Sequence, residues 1–163
     1  MPRALNVLFL CTGNSARSII AEAVLNRLGA GRFQAFSAGS TPAGKVHPYT
    51  LDLLRAKGFP ENGLRSKSWD EFAATDAPSM DFIFTVCGNT ADEVCPVWPG
   101  HPMTFHWGFP DPVQVEGGEQ DKRKAFDLVY DSIEEQLSAF IDLPIDSMDD
   151  GDLRKKLKEM AVR

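Results

Sequence analysis

The hydrophobic pattern of the chain alternates between short, continuously apolar runs and longer stretches whose apolar residues recur at helical spacing. The first run, residues 6–10, ends in Val7-Leu8-Phe9-Leu10, which is typical of a strand covered on both faces. This run and three further short segments rich in apolar residues predict strands at residues 6–10, 32–37, 81–86 and 102–106.

Apolar residues at helical spacing predict three main helices, at residues 18–28, 48–57 and 122–141. The buried face of the longest helix is predicted to carry Phe126, Val129, Tyr130, Ile133, Leu137 and Phe140. Ser68 with Glu71 three residues later predicts a capping box for a short helix. Residues 152–160 are expected to form a short charged helix or a loosely held tail.

Strands that alternate with helices predict an α/β sandwich built on a parallel sheet. The 163 residues fit one domain, since domains usually contain ~100–200 residues. Pro144 interrupts the longest helix pattern, so we expect a catalytic domain at residues 1–144 and a C-terminal helical extension at residues 145–163.

Composition excludes several functional classes. The chain has 17 basic and 23 acidic residues, a net charge of −6, which argues against a nucleic-acid partner. No apolar run approaches the ~18 residues of a membrane span, and no signal peptide is indicated. We therefore expect a cytoplasmic protein. The three Cys are an odd number without a Cys-x-x-Cys pair, and the three His lack zinc-ligand spacing, so neither a disulfide framework nor a cofactor is expected.

The most informative segment joins the first strand to the first helix. It reads Cys11-Thr12-Gly13-Asn14-Ser15-Ala16-Arg17-Ser18. A loop at the carboxyl end of a strand can turn its backbone N–H groups toward one anion, and the following helix adds positive potential there. These groups favour the thiolate of Cys11, to which Ser18 could donate a hydrogen bond, and the guanidinium of Arg17 can hold two oxygens of a tetrahedral oxyanion.

The Cys-x5-Arg-Ser motif resembles that of the low-molecular-weight protein tyrosine phosphatases, and more closely that of their relatives, the thiol-dependent arsenate reductases. The resemblance covers roughly residues 4–142 and implies a flavodoxin-like, three-layer fold with a central four-stranded parallel sheet. It also implies that Cys11 is the nucleophile, Arg17 the oxyanion-binding residue and Asn14 a residue that shapes the loop. Many relatives carry a second Cys where this chain has Ala16.

Asp111 stands between two prolines after the fourth predicted strand, in a loop that the prolines stiffen. A carboxylic acid there can protonate the oxygen that a thiolate displaces from phosphorus or arsenic. Both resembled families carry Asp-Pro as the general acid. Val113-Gln114 replaces the aromatic residues that usually follow in the phosphatases, whereas Trp107-Gly108-Phe109 before the acid resembles the arsenate reductases.

Cys87 ends the third predicted strand, and Cys95 follows eight residues later. A cysteine at that strand end faces the same sheet edge as Cys11, which suits a thiol–disulfide relay. Cys87 would attack the arsenate adduct of Cys11 and release arsenite, and Cys95 would then accept the oxidation from Cys87. The resembled reductases expose such a disulfide to thioredoxin. The alternative is that both cysteines are structural.

Three hypotheses follow. The first is cytoplasmic reduction of arsenate to arsenite, coupled to thioredoxin or a glutaredoxin-type dithiol protein. The second is a low-molecular-weight protein tyrosine or small aryl phosphatase that uses Cys11, Arg17 and Asp111, and the third is an oxyanion-binding or redox-sensing module. Some relatives hold a potassium ion at positions that correspond to Asn14, Glu22 and Ser37, although Glu22 alternatively fits a solvated or capping residue.

Overall fold

The structure, a computed structural model, describes residues 4–60, 63–74, 76–86 and 102–160. Its sheet contains four strands, each within two residues of its predicted bounds. They are β1 (Leu5–Cys11), β2 (Phe33–Gly39), β3 (Phe82–Thr85) and β4 (Met103–His106). All pairings are parallel, in the order β2-β1-β3-β4. The predicted α/β fold with a four-stranded parallel sheet is therefore confirmed.

The register brings the carboxyl ends of the strands to one edge. Cys11 lies opposite Gly39 of β2, and Leu10 lies opposite Thr85 of β3, which in turn pairs with His106 of β4. In open α/β sheets this edge is where ligands bind. The sheet therefore delivers Cys11 to the expected place for a functional site.

The helices lie at α1 (Arg17–Leu28), α2 (Pro48–Ala56), α3 (Asp70–Ala73), α4 (Glu119–Ile141) and α5 (Asp150–Met160). All six residues predicted for the inner face of α4 are buried. His47 caps α2, because its Nδ1 accepts the Tyr49 N–H at 3.0 Å. None of the helices in the described residues is long and apolar enough to cross a membrane.

Both faces of the sheet are covered, because successive residues of a strand point to opposite sides. Val7 and Phe9 of β1 belong to the larger apolar cluster, which includes residues of α1, α2, α4 and α5. Leu8 and Leu10 belong to a smaller cluster with Phe72 of α3. The continuous apolar run of β1 is thus explained by burial on two sides.

Two local predictions were wrong. The Ser68 hydroxyl accepts the Asp70 N–H at 3.1 Å, and no reciprocal capping box forms, because the carboxylate of Glu71 instead pairs with Arg65 at 2.6 and 3.0 Å. That pairing lowers the pKa of Glu71. Glu22, for which a solvated position was considered, is only 8% exposed.

The C-terminal helix packs on the rest of the chain. Leu153 and Leu157 of α5 are buried in the larger cluster. The indole Nε1–H of Trp107 donates to the backbone carbonyl of Leu157 at 3.1 Å. The side-chain amide of Gln136 donates to the backbone carbonyl of Met160 at 2.9 Å. The domain boundary after residue 144 stays a prediction, but the alternative of a loosely held tail is wrong for residues 150–160.

Replacing Leu157 by Ala tests this packing. Leu157 is fully buried, so Leu157→Ala is expected to lower the free energy of unfolding by about 2–5 kcal/mol through lost contacts and a residual cavity. The control is Leu128→Ala, since Leu128 is 57% exposed on α4 and its truncation should cost about 0.5 kcal/mol or less. Urea denaturation measures both, and equal losses would contradict the docking of α5.

Candidate active site

The segment singled out in the sequence forms a loop between the last residue of β1, Cys11, and the first residue of α1, Arg17. Asn14 at its centre adopts a left-handed conformation with φ of 46°, which non-glycine residues other than Asn and Asp rarely adopt. This conformation lets the chain reverse within a few residues, so that both ends of the loop face one space.

Outward hydrogen bonds hold the loop in shape. Its carbonyls accept hydrogen bonds from the segment that follows β2 and from one serine ahead of α3. The bonds run from Thr41 N–H to Thr12 O, from Ala43 N–H and Ser66 Oγ to Gly13 O, and from His47 N–H and Thr50 Oγ to Ser15 O, at 2.9 to 3.1 Å. Because a trans peptide directs its C=O and N–H to opposite sides, these contacts turn the N–H groups toward the loop centre.

Gly39, the last residue of β2, is a site-shaping residue that the sequence pattern does not single out. A Cβ at Gly39 would lie 2.5 Å from the Thr12 carbonyl oxygen and 3.0 Å from Cβ of Asn14. The backbone of β2 therefore approaches the loop more closely than a side chain would permit. Only contacts between distant segments reveal this requirement.

The Cys11 thiol lies inside a buried hydrogen-bond chain. The Asn14 N–H donates to Cys11 Sγ at 3.2 Å, and Ser18 Oγ lies 2.9 Å from the same sulfur. The Asn14 side-chain N–H donates to Ser18 Oγ at 2.7 Å, and its oxygen accepts the Lys67 N–H at 2.9 Å, which fixes the amide orientation. Ser18 thus receives one hydrogen bond and can direct its own hydrogen to the sulfur, which favours a thiolate.

Arg17 and Asp111 meet at the mouth of the loop. Nη2 of Arg17 lies 3.3 Å from Asp111 Oδ2, and Nη1 donates to the Phe109 carbonyl at 3.1 Å. Asp111 caps a short 3-10 turn, Pro112–Gln114, by accepting the Val113 N–H at 3.0 Å. The predicted nucleophile, oxyanion-binding residue and acid therefore share one place.

A cavity of about 260 Å³ opens above Cys11. The loop residues 11–17 line it together with Asp111, Val113 and Gln114. Its size and the N–H groups that the outward-bonded carbonyls turn toward it suit a small tetrahedral anion, which would lie between residues that include Cys11 and Asp111.

The proposed potassium ligands surround a lysine. Nζ of Lys67 lies 3.6 Å from Glu22 Oε1 and 3.5 Å from Ser37 Oγ, and Ser37 donates to Glu22 at 2.9 Å. Burial raises the pKa of Glu22 and lowers that of Lys67, while the attraction between the two groups opposes both changes. A potassium ion bound to Glu22 and Ser37 would contact this ammonium. Repulsion between the two cations therefore disfavours the predicted potassium site, whose predicted ligands do not include Lys67.

Cys87 and Cys95 lie outside the described residues, so their places in the relay stay predictions. The described part of the chain reaches Val86, whose N–H donates to the Leu10 carbonyl at 2.8 Å and whose carbonyl accepts the Phe109 N–H at 3.1 Å. The segment before Cys87 is thus attached both to the strand of the nucleophile and to the loop of the acid.

Comparison with known proteins gives consistent matches. The model of the low molecular weight phosphotyrosine protein phosphatase family matches residues 6–158. The arsenate reductase of Bacillus licheniformis is 35% identical over 134 residues, which are 82% of this chain and 93% of that protein. Among solved structures, a thioredoxin-dependent arsenate reductase of Corynebacterium glutamicum has a TM-score of 0.58 at 25% identity, covering 84% of this chain and 62% of the other. An arsenate reductase in the phosphate binding state has a TM-score of 0.61 at 25% identity, covering 84% and 96%.

This chain therefore belongs to the low molecular weight phosphotyrosine protein phosphatase family. Its similarity to arsenate reductases, indicated by the residues before Asp111, is confirmed by relatives of that name. The fold and the location of the Cys-x5-Arg loop agree with this membership.

Replacing Ser18 by Ala tests its support of the thiolate. Because a hydrogen bond to a charged group contributes about 1.5–3 kcal/mol, Ser18→Ala should raise the pKa of the Cys11 thiol and reduce the thiolate about tenfold at acidic pH. The pH dependence of Cys11 alkylation by iodoacetamide, followed by peptide mass spectrometry, measures this change.

The control for that experiment is Ser40→Ala. Ser40 Oγ is buried without a hydrogen-bond partner among the described residues, and its loss should leave the alkylation profile in place. If Ser18→Ala also left the profile unchanged, Ser18 would not be a donor to the sulfur.

Proposed function

We propose that this protein reduces arsenate to arsenite, with Cys11 as the nucleophile and Cys87 and Cys95 as the thiols that complete the reaction. The observation that carries the proposal is the buried Cys11 sulfur, which is hydrogen-bonded within the loop and faces a cavity shared with Arg17 and Asp111. The arsenate reductases among its relatives support the choice of oxyanion.

Arsenate binds with its oxygens on the inward N–H groups of the loop and on the guanidinium of Arg17. An anion there competes with Asp111 for Arg17, whose Nη2 is 3.3 Å from that carboxylate in the described structure. Substrate binding thus draws Arg17 away from the Asp111 carboxyl before the next step.

In the first chemical step the Cys11 thiolate attacks arsenic and forms a sulfur–arsenic bond. One arsenate hydroxyl leaves and takes a further proton from Asp111, so that it departs as water. Arsenic remains As(V) at this stage, because the thiolate has displaced an oxygen and no electrons have been transferred to the arsenic.

Reduction occurs when the Cys87 thiolate attacks the Cys11 sulfur. A Cys11–Cys87 disulfide forms, the electron pair of the sulfur–arsenic bond remains on arsenic, and arsenite, As(III), is released. Attack by Cys95 on Cys87 then forms the Cys87–Cys95 disulfide and returns Cys11 as a thiolate. Cys87 is covalently linked to Val86, which is hydrogen-bonded to Leu10 beside the nucleophile, and this attachment supports the first exchange.

Each cycle leaves a disulfide that an external dithiol must reduce. A thioredoxin or glutaredoxin-type protein supplies these two electrons, and the thioredoxin dependence of one similar arsenate reductase supports this choice. Such dithiol proteins keep thiols reduced in the cytosol, so we propose a cytoplasmic location.

Hydrolysis of aryl phosphates is a second reaction for the same loop, because water can release a phosphoryl group from Cys11.

Replacing Asp111 by Asn tests the general acid. The amide cannot donate a carboxyl proton, so Asp111→Asn should slow aryl-phosphate hydrolysis by about 10²–10⁴-fold for poor leaving groups and much less for acidic phenols. Hydrolysis rates across a series of substituted phenyl phosphates measure this difference. A uniform loss over the whole series would assign Asp111 to another role.

Serine substitutions at Cys87 and Cys95 test the relay and separate the two reactions. Both variants should keep aryl-phosphate hydrolysis, which needs only Cys11, and both should lose thioredoxin-coupled turnover of arsenate. After one turnover Cys95→Ser should retain a Cys11–Cys87 disulfide, whereas Cys87→Ser should form none, as seen by mass spectrometry of non-reduced digests.

Wild-type protein treated with arsenate alone is the control, and it should contain the Cys87–Cys95 disulfide. Full coupled turnover in both variants would contradict the relay and leave a phosphatase, or a reductase served directly by an external thiol.

A further inference from the structure

A buried charged cluster lies beneath the oxyanion loop, where it is not in contact with the proposed substrate position. It consists of Lys67, Glu22 of α1 and Ser37 of β2, which are 7%, 8% and 0% exposed. The Lys67 ammonium lies within 3.6 Å of both partners, and Ser37 donates to Glu22. Neither an apolar core nor the proposed reaction steps require a lysine at this place.

Lys67 is also attached to the loop through its backbone. Its N–H donates to Asn14 Oδ1 at 2.9 Å, and its carbonyl accepts the Gly39 N–H at 2.9 Å. Asn14 in turn donates its backbone N–H to Cys11 Sγ and its side-chain N–H to Ser18 Oγ. One residue therefore joins β2, α1 and the groups that surround the nucleophile.

The ammonium has a specific task in this arrangement. Removing two opposite charges from water costs several kcal/mol per ion unless the geometry of the pair offsets it, and an apolar pair of similar volume would fill the same space. Glu22 belongs to α1, which follows the loop, and Ser37 belongs to β2, which lies beside β1 in the sheet. The Lys67 ammonium lies beside this pair, 3.6 Å from Glu22 and 3.5 Å from Ser37, and it also donates to the Arg65 carbonyl at 3.0 Å. It thereby connects α1 and β2 to the segment whose backbone N–H binds Asn14.

We propose that Lys67 is a positioning residue for Cys11, whose ammonium acts as an internal cation that holds the oxyanion loop between α1 and β2. This inference relies on the proposed function only for the role of Cys11 as the nucleophile. It requires neither arsenate as the substrate nor the relay through Cys87 and Cys95.

Chemical rescue distinguishes this role from simple packing. Lys67→Ala leaves space for a small cation beside Glu22, whereas Lys67→Met fills the volume with a neutral chain. A cavity of about 420 Å³, lined by Glu22 among others, gives small ions a route to this carboxylate. The probe is ammonium chloride, compared at equal ionic strength with tetramethylammonium chloride, whose cation is too large for the vacated position.

Two readouts are taken in a Cys87→Ser/Cys95→Ser background, in which Cys11 is the remaining cysteine. They are the rate of Cys11 alkylation by iodoacetamide at neutral pH and kcat/KM for 4-nitrophenyl phosphate. In tetramethylammonium chloride both substitutions at Lys67 should reduce both values about tenfold or more, because displacement of a reacting group by ~1 Å can cost about a hundredfold. Ammonium should raise both values of Lys67→Ala several-fold and in a saturable way. It should leave both values of Lys67→Met unchanged.

The matched control is Lys155→Ala, which removes one positive charge from an exposed position of α5 and should change neither readout. The proposal is overturned if both Lys67 variants retain wild-type values, or if ammonium acts equally on Lys67→Ala, Lys67→Met and the parent. Should Lys67→Ala not fold, Glu22→Gln/Lys67→Met removes both charges together, and wild-type alkylation in that variant would equally overturn it. Failure of arsenate reduction alone would concern the proposed function and not Lys67.

Discussion

The site depends on the outward anchoring of one loop. A chain segment whose N–H groups converge on one point directs its carbonyls away from that point. These carbonyls need hydrogen-bond donors from other segments, because unpaired buried carbonyls are costly. Here the carbonyls of Thr12, Gly13 and Ser15 accept hydrogen bonds from residues 41–50 and from Ser66. These hydrogen bonds within the protein hold the loop in the shape described, so that an anion would spend little binding energy on ordering it.

Local sequence determined much of this architecture, and for a physical reason. The apolar run of β1 and the periodic face of α4 reflect burial that recurs along each element, so a short window is sufficient to detect them. The Cys-x5-Arg segment is similarly local, because strand, loop and helix follow one another directly in the chain. In such features, residues that are neighbours in the chain are also neighbours in space.

The residues that sequence reasoning missed depend on contacts between distant segments. Lys67 reaches Glu22 across 45 positions of the chain, and Gly39 is required by the carbonyl of Thr12. Neither belongs to a periodic pattern, and a lone lysine or glycine in a sequence has many ordinary uses. The capping box at Ser68 failed because the carboxylate of Glu71 pairs with the Arg65 side chain, six residues earlier in the chain, and not with a backbone N–H. Side-chain competition of this kind is invisible until the fold is known.

The acid is positioned by the core as much as by its own loop. Trp107 stacks on Phe84 with ring centroids 3.8 Å apart, and its indole is hydrogen-bonded to α5. The chain then passes through Phe109, which binds Val86 through its N–H and Arg17 through its carbonyl, before it reaches Asp111. These four contacts of Trp107 and Phe109 restrict the backbone that leads to Asp111 and leave its carboxyl mainly the rotation of its side chain. Since Arg17 belongs to the oxyanion loop and lines the cavity above Cys11 together with Asp111, its guanidinium, 3.3 Å from the carboxylate, links the loop directly to the proposed acid.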